Sequence, residues 1–269
     1  MHEFKTGIFH WYGYILPLEE RIEQIKQAGF DYVMLWWEDE VYPYTISKME
    51  FINIINNYDL KLDNVHFPFE DINNLWNESS AQRNNHIDLI KKWLNECKLC
   101  GVDTVVMHAS QGNRFDLDCS FGYKSFSEII REAENIDIKI AIENTQMLKY
   151  SDFILKEIIS TNIGFCYDSS HDFVVNGNSA GKILERWKNK LIAVHLSDND
   201  GLYDRHWIPG NGIIDWDKII NIIKHANLKS YSMEVVPYNE EKKMRPIEFL
   251  INARENMEDK IIKSFDMIQ

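Results

Sequence analysis

The stretch IKIAIENTQMLKYSDFILKEIISTNIGFCYDS, residues 138–169, carries the clearest fold signal in the chain. Its two ends, 138–144 and 163–169, are short runs rich in isoleucine, phenylalanine and tyrosine, a composition typical of β-strands. Between them, residues 151–161 place apolar side chains at helical spacing. A strand, a helix and a second strand of these lengths predict a βαβ unit, whose two strands lie parallel in one sheet.

The same alternation extends in both directions along the 269 residues. The other predicted strands are 5–11, 31–37, 61–67, 103–109, 191–197 and 229–236. The other predicted helices are 17–29, 47–58, 81–101, 124–136, 179–190, 215–226 and 244–265. Eight alternating units predict an α/β fold, a (β/α)8 TIM barrel, in a single domain that spans residues 1–269. A doubly wound open sheet is the alternative, but no glycine-rich phosphate loop follows the first strand.

Charge and composition narrow the classes of partner. The formal net charge of −13 argues against nucleic acid, because a duplex binder needs many Lys and Arg contacts with phosphate. The sequence has no apolar run of about 20 residues and no signal-like N-terminal stretch, so we expect no membrane span and a cytoplasmic location. Cys97 and Cys100 form a CxxC pattern inside a predicted helix, where burial is favoured over a metal or redox role.

Ligand-like side chains lie at the carboxyl ends of six consecutive predicted strands. For strands three to eight they are His66, His108, Glu143, Asp168, His195 and Glu234. In a barrel of parallel strands these ends meet at one rim, where TIM-barrel enzymes hold their active sites. A single polar residue at a strand end is usually a turn or a cap. Six in succession, with histidine a poor cap, predict a functional site.

Histidine and carboxylate side chains are ligands for a divalent cation such as Zn²⁺ or Mn²⁺, with Mg²⁺ and Co²⁺ as further options. We assign the metal role to Glu143, Asp168, His195 and Glu234. Five further residues are candidates for additional metal ligands or substrate contacts: His66, His108, His171, Asp204 and His206. The spacing of two between Asp204 and His206 points both side chains the same way on an extended chain, although Asp204 could equally shape a turn.

Four motifs, in their order along the chain, resemble the xylose isomerase-like TIM barrels. This superfamily contains the sugar phosphate isomerases and epimerases, and its relatives include the family-two apurinic/apyrimidinic endonucleases. The motifs are AIEN at Glu143, GFCYDSSH at Asp168 and His171, HLSDNDGLYDRHWIPGNGIIDW at 195–216, and YSMEVV at Glu234. The resemblance covers nearly the whole chain and implies a divalent metal on the four residues assigned above, with His171 against the substrate. The motifs are specific for the superfamily and much less so for any one substrate.

The endonuclease branch uses a cluster of three zinc ions, and its extra ligands would match His66, His108, His171, Asp204 and His206. This chain has a candidate at every one of those positions. Two loops argue against that branch, because WWEDEVYPY (36–44) and HFPFEDINNLW (66–76) are acidic where DNA phosphates would approach. The LSDNDG stretch that follows residue 195 also resembles the isomerase and epimerase group.

Aromatic residues at the same rim suggest a sugar substrate, because aromatic faces pack on the apolar faces of sugars. The predicted substrate contacts are His171, His10, Trp11, Trp37, Trp207 and Arg205. One of Trp36 and Trp37 is expected to pack under a helix instead. No phosphate site is visible: Arg114 and Arg205 are the loop arginines that we nominate, and a free sugar is as plausible as a sugar phosphate.

The sequence therefore predicts an enzyme, a divalent-metal-dependent isomerase or epimerase of a sugar, a sugar phosphate or a related polyol ketone. Glu143 and Glu234 would transfer protons through a metal-stabilised enediolate. The alternative is a zinc-dependent phosphodiesterase of the endonuclease IV type, and a third option is a barrel that binds sugar or metal without catalysis. The expected partner is a small-molecule sugar or sugar phosphate, not nucleic acid or a membrane. A homo-oligomer is left open.

Overall fold

The computed structural model describes residues 4–112 and 116–266. Its strands are β1 (Thr6–Phe9), β2 (Tyr32–Trp36), β3 (Lys61–His66), β4 (Thr104–His108), β5 (Lys139–Glu143), β6 (Ile163–Asp168), β7 (Leu191–His195) and β8 (Tyr231–Met233). Its helices are α1 (Leu18–Gln27), α2 (Phe51–Asn57), α3 (Ser80–Leu99), α4 (Cys119–Asn135), α5 (Leu148–Glu157), α6 (Ser169–Asn176), α7 (Lys182–Trp187), α8 (Trp216–Ile223) and α9 (Pro246–Asp266).

The strands pair in the order β7-β6-β5-β4-β3-β2-β1-β8, and every pair is parallel. The sheet closes between β7 and β8 through backbone bonds just beyond the strand ends. The N–H of Leu196 donates to the carbonyl of Ser232 at 2.9 Å, and the N–H of Glu234 donates to the carbonyl of Leu196 at 3.2 Å. The predicted (β/α)8 TIM barrel is therefore confirmed.

Small side chains fill the middle of the barrel. Val106, Ala141, Cys166 and Ala193 form a buried cluster of their own, separate from the large core between the strands and the helices. Each of the four precedes the last residue of its strand by two positions. Because side chains alternate along a strand, the last residues of β4 to β7 face into the barrel as well. The strand pattern thus aims four ligand-like side chains at one point.

The connection between β6 and β7 differs from the predicted single helix at 179–190. It holds α6 directly after β6, a 3-10 turn at Gly177–Ser179 and then α7, so the described part of the chain has nine α-helices rather than eight. Asp168 caps α6, because its carboxylate accepts the backbone N–H of His171 at 2.6 Å. A strand that ends in a helix-capping aspartate is followed at once by a helix, which brings His171 over the barrel mouth.

Two expectations from composition concern cysteines and membranes. All four cysteines are free, and Cys97 of the CxxC pattern is buried, as helix burial predicts. Within the described ranges, no helix has both the length and the apolar character that crossing a bilayer requires.

Candidate metal centre

Six residues predicted from the strand ends meet at the carboxyl rim of the barrel. The strands β3 to β7 end at His66, His108, Glu143, Asp168 and His195, and Glu234 directly follows β8. The first five are less than a tenth exposed, whereas the Glu234 side chain is 27% exposed. Ionisable groups this deeply buried are costly unless they are paired or bind a metal, so their mutual geometry decides what they do.

Glu143 lies at the centre of four imidazole rings. Its Oε2 is 3.1 Å from His66 Nε2 and 3.1 Å from His195 Nδ1. Its Oε1 is 3.2 Å from His171 Nδ1 and 3.5 Å from His108 Nε2. Burial raises the pKa of Glu143, but the charges and hydrogen bonds of these histidines outweigh burial and hold it well below the usual value. The carboxylate is therefore anionic.

The cluster continues from His195 toward β6 and β8. His195 Nδ1 lies 3.4 Å from Glu234 Oε2. Three sets of side chains offer ligand atoms within 4.8 Å of one another: His66–Glu143–His195, Glu143–Asp168–His171 and Asp168–His195–Glu234. Because the sets share members, they form one continuous group of donors.

The β7–α8 loop adds Asp204 and His206 to this group. Asp204 Oδ2 is 3.2 Å from His171 Nε2 and 3.1 Å from His206 Nε2. The Ser170 hydroxyl donates to Asp204 Oδ1 at 2.6 Å, which fixes the carboxylate from below. His206 Nδ1 is 3.1 Å from the carbonyl oxygen of Glu234. The structure therefore brings together all nine residues that the sequence nominated as metal ligands or possible ligands.

Two buried polar atoms in the cluster lack a hydrogen-bond partner among the residues that the structure describes. They are Nε2 of His195 and Oδ2 of Asp168. Unsatisfied polar atoms are costly in a protein interior. The separations of 3.1 and 3.4 Å from His195 Nδ1 to the two glutamates match the roughly 3.3 Å between ligand atoms of a tetrahedral zinc site. The donor set is compatible with a divalent metal.

The charges of the cluster shift its proton affinities. Burial and the charge of Glu143 raise the pKa of Asp168 to about 7. Burial lowers the pKa of His206, but the hydrogen bond to Asp204 and the charge of Glu234 raise it to about 10. Burial also lowers the pKa of His171, but the charge of Asp168 and the hydrogen bond to Asp204 raise it well above its usual value. Without a cation, the group therefore holds protons that metal binding would displace.

Asp198 organises the β7–α8 loop, a role that the sequence reasoning missed although the HLSDNDG motif contains this residue. Its side chain is fully buried, and each carboxylate oxygen accepts two N–H groups. The donors are the backbones of Asn199 at 2.9 Å, Ile214 at 3.1 Å and Gly210 at 2.8 Å, and the indole of Trp216 at 2.8 Å. These bonds tie the start of the loop to its end and to α8.

Two backbone features stabilise the same loop. A Cβ atom at Gly212 would lie 2.3 Å from both Asn199 O and Asp198 Oδ1, so only glycine fits there. His206 has a φ of 52°, in the left-handed region that residues other than glycine seldom adopt. Non-glycine residues in such conformations cluster at functional sites, which agrees with the position of His206 in the donor group.

Aromatic rings pack against the histidines of β3 and β4. Trp36 stacks on His66 with ring centroids 5.2 Å apart, and Phe69 stacks on His108 at 4.4 Å. Phe69 was not nominated from the sequence, and nothing in its spacing distinguished it from a core residue. These contacts restrict the orientations of both imidazole rings.

The prediction that Trp37 contacts the substrate is corrected. Trp37 is fully buried, and its indole N–H donates to Glu96 of α3 at 3.3 Å. Adjacent residues of a strand point to opposite sides, so only one of the two tryptophans can face the mouth. That residue is Trp36.

His10 and Trp11 follow β1 but lie in different surroundings. His10 is 5% exposed, and burial together with Arg21 lowers its pKa to about 3, so the ring is neutral. Trp11 is 40% exposed, and the guanidinium of Arg21 lies 5.1 Å from its ring. Of the two, Trp11 is the one open to a ligand from solvent.

Arg205 and Trp207 flank His206 in the β7–α8 loop. Arg205 pairs with Asp200 at 2.9 Å and lies 5.8 Å from the Trp207 ring. Trp207 packs against Tyr238 with ring centroids 4.7 Å apart. Arg114, the other arginine nominated for phosphate, lies outside the described residues.

Solved structures share this architecture. The chain superposes on a D-tagatose 3-epimerase-like protein with a TM-score of 0.79 and 21% identity, covering 99% of this chain and 100% of that one. The IolI protein, whose structure holds a zinc atom, gives a TM-score of 0.73 and 20% identity, with coverage of 97% and 99%. At this level of identity the likeness shows the fold.

Sequence relatives agree with the structural comparison. The protein y4fM of Sinorhizobium fredii is 24% identical over 266 residues, 83% of each chain. A shorter match of 33% over 91 residues joins 28% of this chain to 32% of the probable endonuclease 4 of Clostridium botulinum. The family described as xylose isomerase-like TIM barrel matches residues 22–259, from α1 to α9. The chain belongs to the xylose isomerase-like TIM barrel family.

Proposed function

We propose that the protein is a divalent-metal-dependent isomerase or epimerase of a sugar or a related polyol ketone. The observation that carries the proposal is the meeting of two glutamates from separate strands at one histidine. Glu143 Oε2 and Glu234 Oε2 lie 3.1 and 3.4 Å from His195 Nδ1. Moving a proton between carbons needs a base and an acid, whereas binding alone does not need two such carboxylates. The fold shared with a D-tagatose 3-epimerase-like protein supports this class.

The cation in this proposal is held by Glu143, Asp168, His195 and Glu234. When bound, it supplies Lewis-acid stabilisation of the negative charge that develops on the substrate oxygens. The unsatisfied atoms of Asp168 and His195 support that assignment. The zinc atom in the IolI structure favours Zn²⁺, and Mn²⁺, Mg²⁺ and Co²⁺ are the alternatives that the same donors accept.

The two glutamates carry the proton transfers. Glu143 is 1% exposed and anionic, so it serves as the buried base on one side of the substrate. Glu234 is 27% exposed and stands on the open side, where its carboxyl group, protonated from solvent, donates a second proton to the substrate carbon. His171, whose Nε2 lies 3.2 Å from Asp204 Oδ2, is the proposed contact for a substrate hydroxyl. The other proposed substrate contacts are Arg205, Trp207, His10 and Trp11. Trp36 takes the place of Trp37, which is fully buried.

A single experiment joins metal content to chemistry. Protein prepared without chelator should contain about one metal ion per chain by elemental analysis. A panel of ketoses, ketose phosphates and inososes is then incubated with this protein in deuterated water. The expected result is deuterium at the carbon beside the carbonyl of one substrate. Failure to take up any divalent metal on titration, or turnover of the true substrate without solvent exchange, would contradict the proposal.

The additional histidines favour a second candidate, a zinc-dependent phosphodiesterase of the endonuclease IV type. All five extra ligand candidates lie in the donor group, in histidine–carboxylate pairs separated by 3.1 to 3.5 Å. The local match to a probable endonuclease 4 points the same way. Two or three zinc ions per chain would support this candidate over the first.

The acidic loops at the barrel mouth keep the phosphodiesterase in second place. Glu38, Asp39, Glu70 and Asp71 are exposed at that face, while Glu40 is paired with the buried Arg21. An abasic-site oligonucleotide at low salt, where binding is most favoured, should therefore be neither bound nor incised. Incision that disappears in His108→Ala would reverse the order of the two candidates.

The remaining expectations belong to the same proposal. The partner is a small-molecule sugar rather than nucleic acid or a membrane, and the enzyme works in the cytoplasm. Assembly into a homo-oligomer is compatible with this function, and sedimentation of the purified protein measures it directly.

A further inference from the structure

A cavity of about 330 Å³ opens beside the metal centre. It is lined by Trp207, Asn211, Tyr238, Asn239, Glu240 and Glu241. The first two belong to the loop that carries His206, and the others follow Glu234 at the end of β8. The volume lies at the lower end of the range for small-ligand pockets. None of these lining residues belongs to the donor group, and Trp207 directly follows His206 in the chain.

Two aromatic rings form one wall of the cavity. Trp207 and Tyr238 pack with centroids 4.7 Å apart and planes inclined by 33°. Tyr238 is 40% exposed, and Trp207 is half-buried. Within the described ranges, the indole nitrogen of Trp207 is shielded from solvent and has no hydrogen-bond acceptor. Such rings combine a flat apolar face with a polar edge, which suits a ligand that has C–H faces and hydroxyl edges.

The opposite wall is held in place before any ligand arrives. Glu241 Oε1 accepts the side-chain N–H of Asn211 at 2.7 Å, and its Oε2 accepts the backbone N–H of Tyr238 at 2.9 Å. The Tyr14 hydroxyl also donates to the carbonyl of Glu241 at 3.2 Å. These bonds join the β7–α8 loop to the segment after β8. A preformed wall lowers the entropy cost of binding.

The charge of the lining selects against anions. The ionised groups among the described lining residues are the carboxylates of Glu240, which pairs with Lys243, and Glu241, so none of these residues offers a cation to a phosphate or carboxylate ligand. Asn211, Asn239 and the Tyr238 hydroxyl supply both donors and acceptors. A neutral polyhydroxylated ring meets all these conditions. An organic cation would meet the aromatic and acidic ones, but it would not use the amides.

We propose that this cavity is a subsite for a neutral sugar ring, joined by a glycosidic bond to the ketose end that reaches the metal centre. The substrate class is then a glycosylated ketose rather than a free monosaccharide or a sugar phosphate. The assignment of the reacting end rests on the proposed function. The sugar-ring subsite itself rests on the packed rings of Trp207 and Tyr238, on the fixed amide wall and on a lining whose described residues include no Lys or Arg.

Equilibrium binding to the zinc-loaded protein tests the subsite. Saturation-transfer NMR is used with methyl glucoside, methyl galactoside and methyl mannoside, and dissociation constants are measured for lactulose and D-fructose. At least one methyl glycoside should receive saturation on its ring C–H protons. Lactulose should bind about tenfold more tightly than D-fructose. Tyr238→Leu should reduce that ratio below about threefold, whereas Tyr123→Leu, at a 43% exposed tyrosine of α4, should not.

Other outcomes overturn the proposal. Equal affinities for lactulose and D-fructose in the wild type would do so, as would a preference that survives both Tyr238→Leu and Trp207→Leu. The cavity would be assigned to a cation instead if tetramethylammonium displaced every methyl glycoside and lactulose bound no more tightly than D-fructose. Methyl glycosides have no free carbonyl, so their binding is independent of the reaction. If they bind but no ketose exchanges a proton, the proposed function fails and the subsite stands.

Discussion

The candidate metal centre has a strand half and a loop half, which are held in place by different means. The strand half consists of the last residues of β3 to β7, each less than a tenth exposed: His66, His108, Glu143, Asp168 and His195. The loop half, which consists of Asp204, His206 and Glu234, is 22–27% exposed. The strand half would be difficult to alter without disturbing the sheet, whereas the loop that carries Asp204 and His206 is held together by the hydrogen bonds of Asp198. Loops on a rigid barrel are where specificity is free to change.

The largest expected effect comes from the centre of the strand half. Glu143→Gln removes the negative charge that four histidines surround and leaves an amide that cannot accept a proton. We expect turnover to fall by about 10²–10⁴, the usual worth of a positioned general base. We also expect weaker metal retention, because a ligand is lost. Turnover is measured by deuterium incorporation, and bound metal by elemental analysis after dialysis.

Two matched variants sharpen that result. Glu234→Gln should lose turnover by a similar factor but retain more metal, because the buried donors of the strand half remain. Glu128→Gln changes a half-exposed glutamate of α4 that pairs with Lys91 and should alter neither quantity. Equal and complete loss of metal in both active-site variants would show that the two halves do not act separately.

The next effect addresses the loop half. Asp198→Asn places an amide N–H₂ against two of the four N–H donors that the carboxylate accepts. The loop should shift, and affinity for a metal should fall by about 10–100-fold, the usual cost of losing a residue that orients ligands. A cobalt(II) titration followed by visible absorption measures affinity and ligand geometry together. An unchanged cobalt spectrum with unchanged affinity would show that the loop does not depend on Asp198.

The strand half could be predicted from the sequence because a strand end and a barrel rim are both local signals. Alternation of strands and helices along the chain is enough to place His66, Glu143 and His195 on one rim. The role of Asp198 could not be predicted in this way. Its four donors lie up to 18 residues away along the chain, and only the folded loop brings them together. The same reason explains why Phe69 was missed.

Two errors came from residues whose local sequence pattern fits two different structures. Side chains alternate along a strand, so Trp36 and Trp37 must point to opposite sides. The sequence pattern alone does not show which of them faces the barrel mouth. The extra helix α6 was missed because Asp168 was interpreted only as a ligand, although an aspartate followed by two serines is also a helix start. Asp168 has two roles, and the sequence analysis identified only the role of ligand.

The pH dependence of metal affinity is a smaller effect that distinguishes the two halves. Without metal, His206 with a pKa of about 10 is protonated at pH 7, and Asp168 with a pKa of about 7 is half protonated. Ligands bind metal in their deprotonated forms, so affinity should rise as the pH rises from 6 to 8, by up to about tenfold per unit for each group that is still protonated, and Asp168 contributes mainly below pH 7. Calorimetry at pH 7 in two buffers of different ionisation enthalpy counts the protons. We expect more than one in the wild type and fewer in Asp204→Asn, because the hydrogen bond to Asp204 contributes most to raising the pKa of His206. Heats that do not depend on the buffer would contradict the expectation.

The smallest effect at the site should come from the aromatic support of the strand half. Trp36→Leu removes the ring that stacks on His66 at 5.2 Å, a contact typically worth about 0.5–1.5 kcal/mol. Metal affinity or KM should weaken by about threefold to tenfold, with little change in the melting temperature. Trp37→Leu should do the reverse, because that ring is fully buried against α3 and its loss leaves a cavity. Thermal unfolding and substrate titration of the two variants compare the residues directly. If Trp37→Leu changed KM and Trp36→Leu did not, the assignment of the two faces of β2 would be reversed, and with it the position of the sugar beside the histidines.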